Sequence, residues 1–204
     1  MSASPVIHVV DDDLLFRKAV AGLLKVAGYQ AALYNSGREL MQSSALADLG
    51  CILLDLRMDG LDGLELQQRL NGTACALPIV FLTGHGDVPT SVKAIKAGAD
   101  DFLLKPVSKT TLINAVENAL GRCRKLLDER DRMDALRFPV AALTPREHRV
   151  FSLVVRGKMN KQIAFELGTS ERTIKAHRHA IMTKLNVRSV AAVVSIAERL
   201  GMLA

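Results

Sequence analysis

The sequence predicts an α/β protein: a doubly wound domain built on a five-stranded parallel sheet, followed by an all-α domain of four helices. Three observations carry this. The first 120 residues alternate between short β-branched apolar runs and stretches with helical spacing, the pattern of repeated strand–helix units. After residue 140 no strand pattern remains, and four short helical stretches follow one another. The charge balance changes with it: residues 1–120 carry 10 Lys+Arg against 13 Asp+Glu, residues 121–139 carry 6 against 4, and residues 140–204 carry 11 against 4. A mildly acidic front and a basic tail fit two domains. The tail suits either a polyanion partner or an unevenly charged surface.

The strand–helix units run in order. "VIHVV" (6–10) is an apolar run bounded by acids, and "LLFRKAVAGLLKVAG" (14–28) has helical spacing with Gly28 as its stop. "YQAALY" (29–34) is a weaker strand, and "SGRELMQSS" (36–44) opens on Ser36 as an N-cap. "CILLD" (51–55) is a strand, and "GLELQQRLN" (63–71) is a helix followed by Gly72. "PIVFLT" (78–83) and "VPTSVKAIKAG" (88–98) form the fourth unit; "DFLLK" (101–105) and "SKTTLINAVENAL" (108–120) form the fifth. Strands covered on both faces read as continuous apolar runs, as these mostly do. In an open sheet of this kind the site lies at the carboxyl ends of the strands.

Residues 121–139, "GRCRKLLDERDRMDALRFP", are dense in both signs of charge. Asp128–Arg132 and Arg130–Asp134 can pair at i,i+4. The stretch reads as a solvated helical linker, continuous with the fifth helix or separate from it, ending before Pro139. The apolar stripe Leu120, Cys123, Leu127 does not persist, which argues against a coiled coil. Within 140–204, Thr144, Pro145 and Glu147 form a helix start with a capping box. Helices are expected over "LTPREHRVFSLVVRG", "NKQIAFELG", "SERTIKAHRHAIMTKLN" (capped by Ser170) and "SVAAVVSIAERLG".

Composition excludes several classes. Apolar residues make up 49% of 204, aromatics 4%, and Trp is absent, so the cores must be Leu, Val, Ile and Ala. No apolar run reaches the roughly 18 residues of a membrane helix. The start, "MSASPVIHVVDDD", lacks the basic and long apolar regions of a secretory signal. Cys51, Cys75 and Cys123 have no metal-ligand spacing and read as free thiols of a cytoplasmic protein.

Charged and hydroxyl residues collect at the strand ends. Asp11 and Asp12 follow the first strand and Asp55 ends the third; the fourth ends in Thr83 and the fifth in Lys105. If the first and third strands are neighbours, three carboxylates meet in one crevice. Carboxylates that close resist ionising together unless a cation intervenes. An oxygen-rich, thiol-free set suits Mg²⁺. A carboxylate nucleophile, a metal, a lysine and a hydroxyl are the parts of phosphoryl transfer.

"VVDDD", "LLDLRM", "FLTGHGD" and "DFLLKP", in that order, resemble the receiver domain of bacterial two-component response regulators over residues 5–120. The resemblance implies that Asp55 accepts phosphate from a phosphohistidine on a sensor histidine kinase. It implies that Asp12 ligates Mg²⁺ directly, Asp11 at least through water, and that the Arg57 backbone carbonyl completes the protein ligands. Thr83 and Lys105 would hold the phosphoryl group, Phe102 would be the aromatic that changes rotamer on activation, and Lys105–Pro106 would be cis. Asp59 stands where the family commonly has Pro, and reads as a surface acid rather than a tuner of the metal. Arg57 and His85 occupy positions that influence phosphate lifetime in this family; His85 reads as a loop residue rather than a base.

In the basic tail, Ile163, Ala164 and Leu167 make a packing face on one helix. Ile174, Ile181 and Leu185 make one on the next, leaving Lys175, Arg178 and His179 on another side. That suits a helix-turn-helix whose second helix meets phosphates and base edges; a solvated basic helix in an ordinary bundle is the plainer alternative. "LTPRE" and "VVRGKMNKQIAFELGTSERTIKAHRHAIMTKLNVRS" resemble the LuxR-type helix-turn-helix, the output domain of NarL/FixJ-class regulators. The resemblance puts Lys161 and Thr173 on phosphates and Lys175, Ala176 and His179 at or near base edges. Ala176 replaces a Val common in the family. The "TGHGDVP" loop and the tail lean towards a FixJ-like subgroup, near regulators of aromatic-compound catabolism.

The expected organisation is therefore a receiver over 1–120, a helical linker over 121–139 and a DNA-binding domain over 140–204. The expected function is transcriptional regulation controlled by phosphorylation of Asp55, with double-stranded promoter DNA as target. RNA polymerase would be a further partner, and a homodimer the phosphorylated form. The chain would take part in phosphotransfer to its own aspartate, with slow self-dephosphorylation, without being an enzyme in the usual sense. Two rivals are weaker. A haloacid-dehalogenase-like phosphatase would need an acid two residues after the nucleophile, where Arg57 stands. A regulator with an unphosphorylated pseudo-receiver would not need Asp12, Asp55, Thr83 and Lys105 together.

Overall fold

The computed structural model describes residues 4–43, 49–73, 77–84 and 88–203. The chain divides into two compact units, Met1–Asp128 and Glu129–Ala204. The first contains β1 (Val6–Val10), α1 (Leu14–Val26), β2 (Gln30–Tyr34), α2 (Gly37–Met41), β3 (Gly50–Leu54), α3 (Gly63–Asn71), β4 (Ile79–Thr83), α4 (Val88–Lys96), β5 (Asp101–Leu104) and the start of α5 (Lys109–Ala141). All neighbouring strands are parallel, in the order β2-β1-β3-β4-β5. The expected fold class is thus the observed one.

The continuous apolar runs have a simple cause. Successive side chains on a strand point to opposite faces, and both faces here are covered. Ile7, Val9, Cys51, Leu53, Val80 and Leu82 pack on one side with Val20 and Leu24 of α1 and Leu112 and Val116 of α5. Val10, Ile52, Leu54 and Phe81 pack on the other with Leu40, Leu66 and Ala94. The edge strands β2 and β5 are less buried, which is why β2 read as weak.

Strand ends fall one residue earlier than predicted at two places. Asp55 and Lys105 lie just beyond β3 and β5, where side chains leave the packed sheet for the crevice. Two helix caps come from acids: Asp13 accepts from the N–H groups of Leu15 and Phe16, and Asp62 from that of Glu65. The predicted cap Ser36 accepts from Glu39. Cys51 and Cys123 are free and buried, and burial pushes the Cys51 thiol up to about 12, so it is inert near neutrality. Cys75 lies outside the described residues.

The expected end of the linker before Pro139 is not observed. Helix α5 runs through Pro139 to Ala141. Proline costs the helix one hydrogen bond, but Val140 and Leu143 are buried in the second unit's core, and Ala142 donates to the Phe138 carbonyl at 3.0 Å. Packing of the turn after Pro139 offsets the missing bond.

The second unit contains α6 (Pro145–Val155), α7 (Asn160–Glu166), α8 (Glu171–Lys184) and α9 (Val190–Arg199) around a core that includes Val150, Phe151, Ile163, Ile174, Ile181 and Val193. The capping box forms: Glu147 N–H donates to Thr144 Oγ1, and the Thr144 N–H donates to Glu147 Oε2. Among the described residues no helix is long and apolar enough to cross a membrane.

Candidate functional site

Strand order creates the crevice. From β1 the chain crosses to β2 on one side, while β3 lies on the other, so the connections leaving β1 and β3 diverge at their carboxyl ends. The register pairs Val10 with Leu54, and the Asp55 N–H donates to the Val10 carbonyl at 2.8 Å. Asp11 and Asp55 therefore leave the sheet side by side. Carboxylate oxygens of Asp11, Asp12 and Asp55 lie within 4.8 Å of one another; Asp11 and Asp55 are buried and Asp12 is exposed.

Across the sheet, β5 delivers the countercharge. The Lys105 N–H donates to the Thr83 carbonyl at 2.8 Å, continuing the β4–β5 pairing. Its Nζ lies 2.6 Å from Asp11 Oδ2 and 3.1 Å from Asp55 Oδ2. The Lys105–Pro106 peptide is cis, as the resemblance implied. Thr83, the last residue of β4, is buried. One ammonium against three carboxylates leaves a deficit of two positive charges. That deficit and the all-oxygen donor set fit a hard divalent cation. Burial, and the like charge of Asp55, hold the Asp11 carboxyl above its usual range, against the hydrogen bonds from Lys105 and Asp13.

The remaining hydrogen bonds orient these groups. The Leu56 N–H donates to Asp55 Oδ1 at 2.7 Å and the Asp13 N–H to Asp11 Oδ1 at 2.9 Å. Three contributors were not singled out in the sequence. Phe16 places its ring 4.0 Å beneath the Lys105 ammonium, a cation–π contact. Arg17, buried in α1, donates to the Asp11 carbonyl. The Asp59 N–H donates to Asp12 Oδ2 at 3.3 Å. The side chain of Asp59 is exposed, as expected of a surface acid, but its backbone takes part in the site. The signal for Phe16 and Arg17 was their position in the first turn of α1, which the Asp13 cap aims at the crevice. Phe102 is half-buried, with its ring centroid 6.1 Å from that of Phe81. Arg57 is exposed, and His85 lies outside the described residues.

In the second unit, α7 and α8 are joined by the short turn Leu167–Ser170. Arg146 of α6 donates to the Leu167 carbonyl at 2.8 Å, bracing that turn. Ser170 caps α8, accepting from the Thr173 N–H at 3.1 Å, with the two hydroxyls 2.9 Å apart. Lys161, Thr173, Lys175, Ala176 and His179 are exposed. Arg178 is not: it is half-buried, and its Nη1 donates to Asn160 Oδ1 at 2.7 Å.

Similarity to known proteins agrees with both units. Residues 7–117 match the response regulator receiver domain family, and residues 141–197 match the family of bacterial regulatory proteins, luxR family. The chain is 39% identical to Nodulation protein W of Bradyrhizobium diazoefficiens, over 98% of this chain and 88% of that one. It is 38% identical to the transcriptional regulatory protein FixJ of Azorhizobium caulinodans, over 97% and 93%. Among solved structures, the response regulator StyR superposes with a TM-score of 0.82 at 43% identity, covering 97% of this chain and all of that one.

Proposed function

The chain belongs to the NarL/FixJ class of response regulators and is a phosphorylation-controlled transcriptional regulator; from that premise we propose that Asp55 is its phosphoacceptor and α8 its DNA-reading helix. The observation that carries the first part is the convergence of Asp11, Asp12 and Asp55 within 4.8 Å, with Lys105 Nζ 3.1 Å from Asp55.

Asp55 attacks the phosphorus of a phosphohistidine on a sensor kinase; the new O–P bond forms as the N–P bond breaks. Asp11, Asp12, Asp55 and the Arg57 carbonyl would hold Mg²⁺, which would supply charge neutralisation at the phosphoryl oxygens. The Leu56 N–H holds one Asp55 oxygen, leaving the other for the reaction. The phosphoryl group adds about −1.5 to −2 charges at neutral pH. The Lys105 ammonium, lying against Asp11 and Asp55, is placed to follow that charge, and the Thr83 hydroxyl to donate to a phosphoryl oxygen. Withdrawal of Thr83 towards the phosphate leaves room for Phe102 to turn inward, coupling the site to the α4–β5–α5 face. A homodimer formed on that face would bring two output domains onto half-sites about one helical turn apart. Near-complete switching requires phosphate to favour the active state by about 5.5 kcal/mol.

In the output domain, spanning about residues 140–204 after a helical linker over 121–139, Lys161 and Thr173 contact phosphates. Lys175, Ala176 and His179 face base edges, and Arg178 belongs to the same helix. Kinase, promoter and RNA polymerase would all be met in the cytoplasm. Slow hydrolysis of the phosphoaspartate would end the signal.

The test is phosphorylation of the pure protein with acetyl phosphate and Mg²⁺. The expected result is a mass gain of one phosphate, lost in Asp55→Asn, and tighter promoter binding after treatment. No mass gain would favour a pseudo-receiver; rapid multiple turnover of small phosphomonoesters would favour a phosphatase.

A further inference from the structure

Arg178 stands apart from the other basic residues of α8. Lys175 and His179 are exposed, whereas Arg178 turns inward. It lines a small apolar cleft with Val154 of α6, Ile181 of α8, and Val190 and Val193 of α9. Its guanidinium ends on Asn160, the first residue of α7, with Nη1 2.7 Å from Oδ1. Through the shared cleft and the Asn160 bond, α6, α7, α8 and α9 all meet around this one side chain.

From this we infer that Arg178 is a positioning residue for DNA recognition, clamping α8 to the start of α7 through Asn160, and makes no base or phosphate contact itself. The inference rests on the proposed reading that α8 enters the major groove. A reading helix is useful only at a defined angle to its partner, because its base-facing residues must meet the groove together. A bond to a charged donor is stronger and more directional than a neutral one. The arginine stem packs as an apolar side chain while its head makes that bond. A guanidinium engaged on Asn160, on a half-buried side chain that lines an apolar cleft, is not free to reach the groove.

The test compares Arg178→Met, which keeps much of the stem, Asn160→Ala and the double variant in the full-length, acetyl phosphate-treated protein. The probe is a labelled duplex selected by the wild-type protein from a randomised pool, titrated over a series of salt concentrations. Each single variant is expected to bind about three- to tenfold more weakly, the worth of one charge-assisted hydrogen bond in a half-exposed setting. The double variant should be no weaker than the worse single one. Base preference and the salt slope should stay at wild-type values in all three. A slope reduced by about 0.9, the mark of one lost phosphate contact, in Arg178→Met alone would overturn the clamp. So would relaxed preference at one base position in that variant alone, or wild-type binding by both single variants. Lys175→Ala serves as the control for the groove reading. If it changes neither affinity nor slope, α8 is not in the groove, and the positioning role falls with that reading.

Discussion

Lys105 and Asp11 are 94 residues apart in the chain, yet the ammonium of one lies 2.6 Å from the carboxylate of the other. This pair is the bridge between the two ends of the reaction crevice. It neutralises part of a buried acidic cluster before any metal or phosphoryl group arrives.

Replacing Lys105 with Met should therefore cost more without Mg²⁺ than with it. Without the metal, Asp11 and Asp55 lose their countercharge, and the receiver unit should be destabilised by about 1–3 kcal/mol, the cost of leaving such a group unpaired. Mg²⁺ should restore more stability to the variant than to the wild type, because the metal then meets no competing ammonium. Thermal unfolding of both proteins across a Mg²⁺ titration checks this. Equal Mg²⁺ stabilisation in the two would contradict it.

Asp59 acts on Asp12 through its backbone N–H, at 3.3 Å. Asp59→Pro removes that donor and Asp59→Ala keeps it. Calorimetric titration should show Mg²⁺ binding weakened about tenfold in the Pro variant, the low end for loss of an outer hydrogen bond because the site is exposed. The Ala variant should stay closer to wild type. The reverse order would mean that the carboxylate, not the amide, matters.

Gly63 opens α3 against the segment that carries the phosphoacceptor. A Cβ there would lie 2.4 Å from the Asp55 carbonyl oxygen and 2.9 Å from the Phe81 ring. Gly63→Ala must push the backbone of Asp55 and Leu56 aside, with an overpacking cost of about 1–3 kcal/mol. The expected outcome is a lower melting temperature together with slower uptake of phosphate from acetyl phosphate. Wild-type values for both would show that the helix start yields without moving Asp55.

In the output unit, the Lys184 ammonium, 2.6 Å away, and the Thr144 amide hold the Glu147 carboxyl down to about 2, from an ordinary 4.5. A carboxylate with a lowered pKa contributes stability above its unfolded pKa and loses it as pH falls towards its folded pKa. The α6–α8 pairing should thus weaken progressively between about pH 4.5 and 2. Glu147→Gln should be less stable near neutrality and flatter across that window. Hydrogen exchange of α6 and α8 amides in the full chain reads both effects. An unchanged pH dependence in the Gln variant would remove the role assigned to this pair.

The local code determined much of this protein. Unbroken apolar runs specify strands covered on both faces, because side chains alternate across a sheet. Residues such as Ser36, Thr144 and Ser170 specify helix starts, because their oxygens satisfy amides only a few residues away. Position at the carboxyl ends of strands, with the resemblance of those motifs to receiver domains, named Asp55, Thr83 and Lys105. Tertiary structure decided the rest. Strand order brought Lys105 onto Asp11, the turn after β3 put the Asp59 amide on Asp12, and burial of Val140 carried α5 past Pro139. It also turned Arg178 towards Asn160 rather than outward with Lys175 and His179. Partners far apart in sequence leave no periodic trace, because the energy of each contact depends on which surfaces the folded chain presses together.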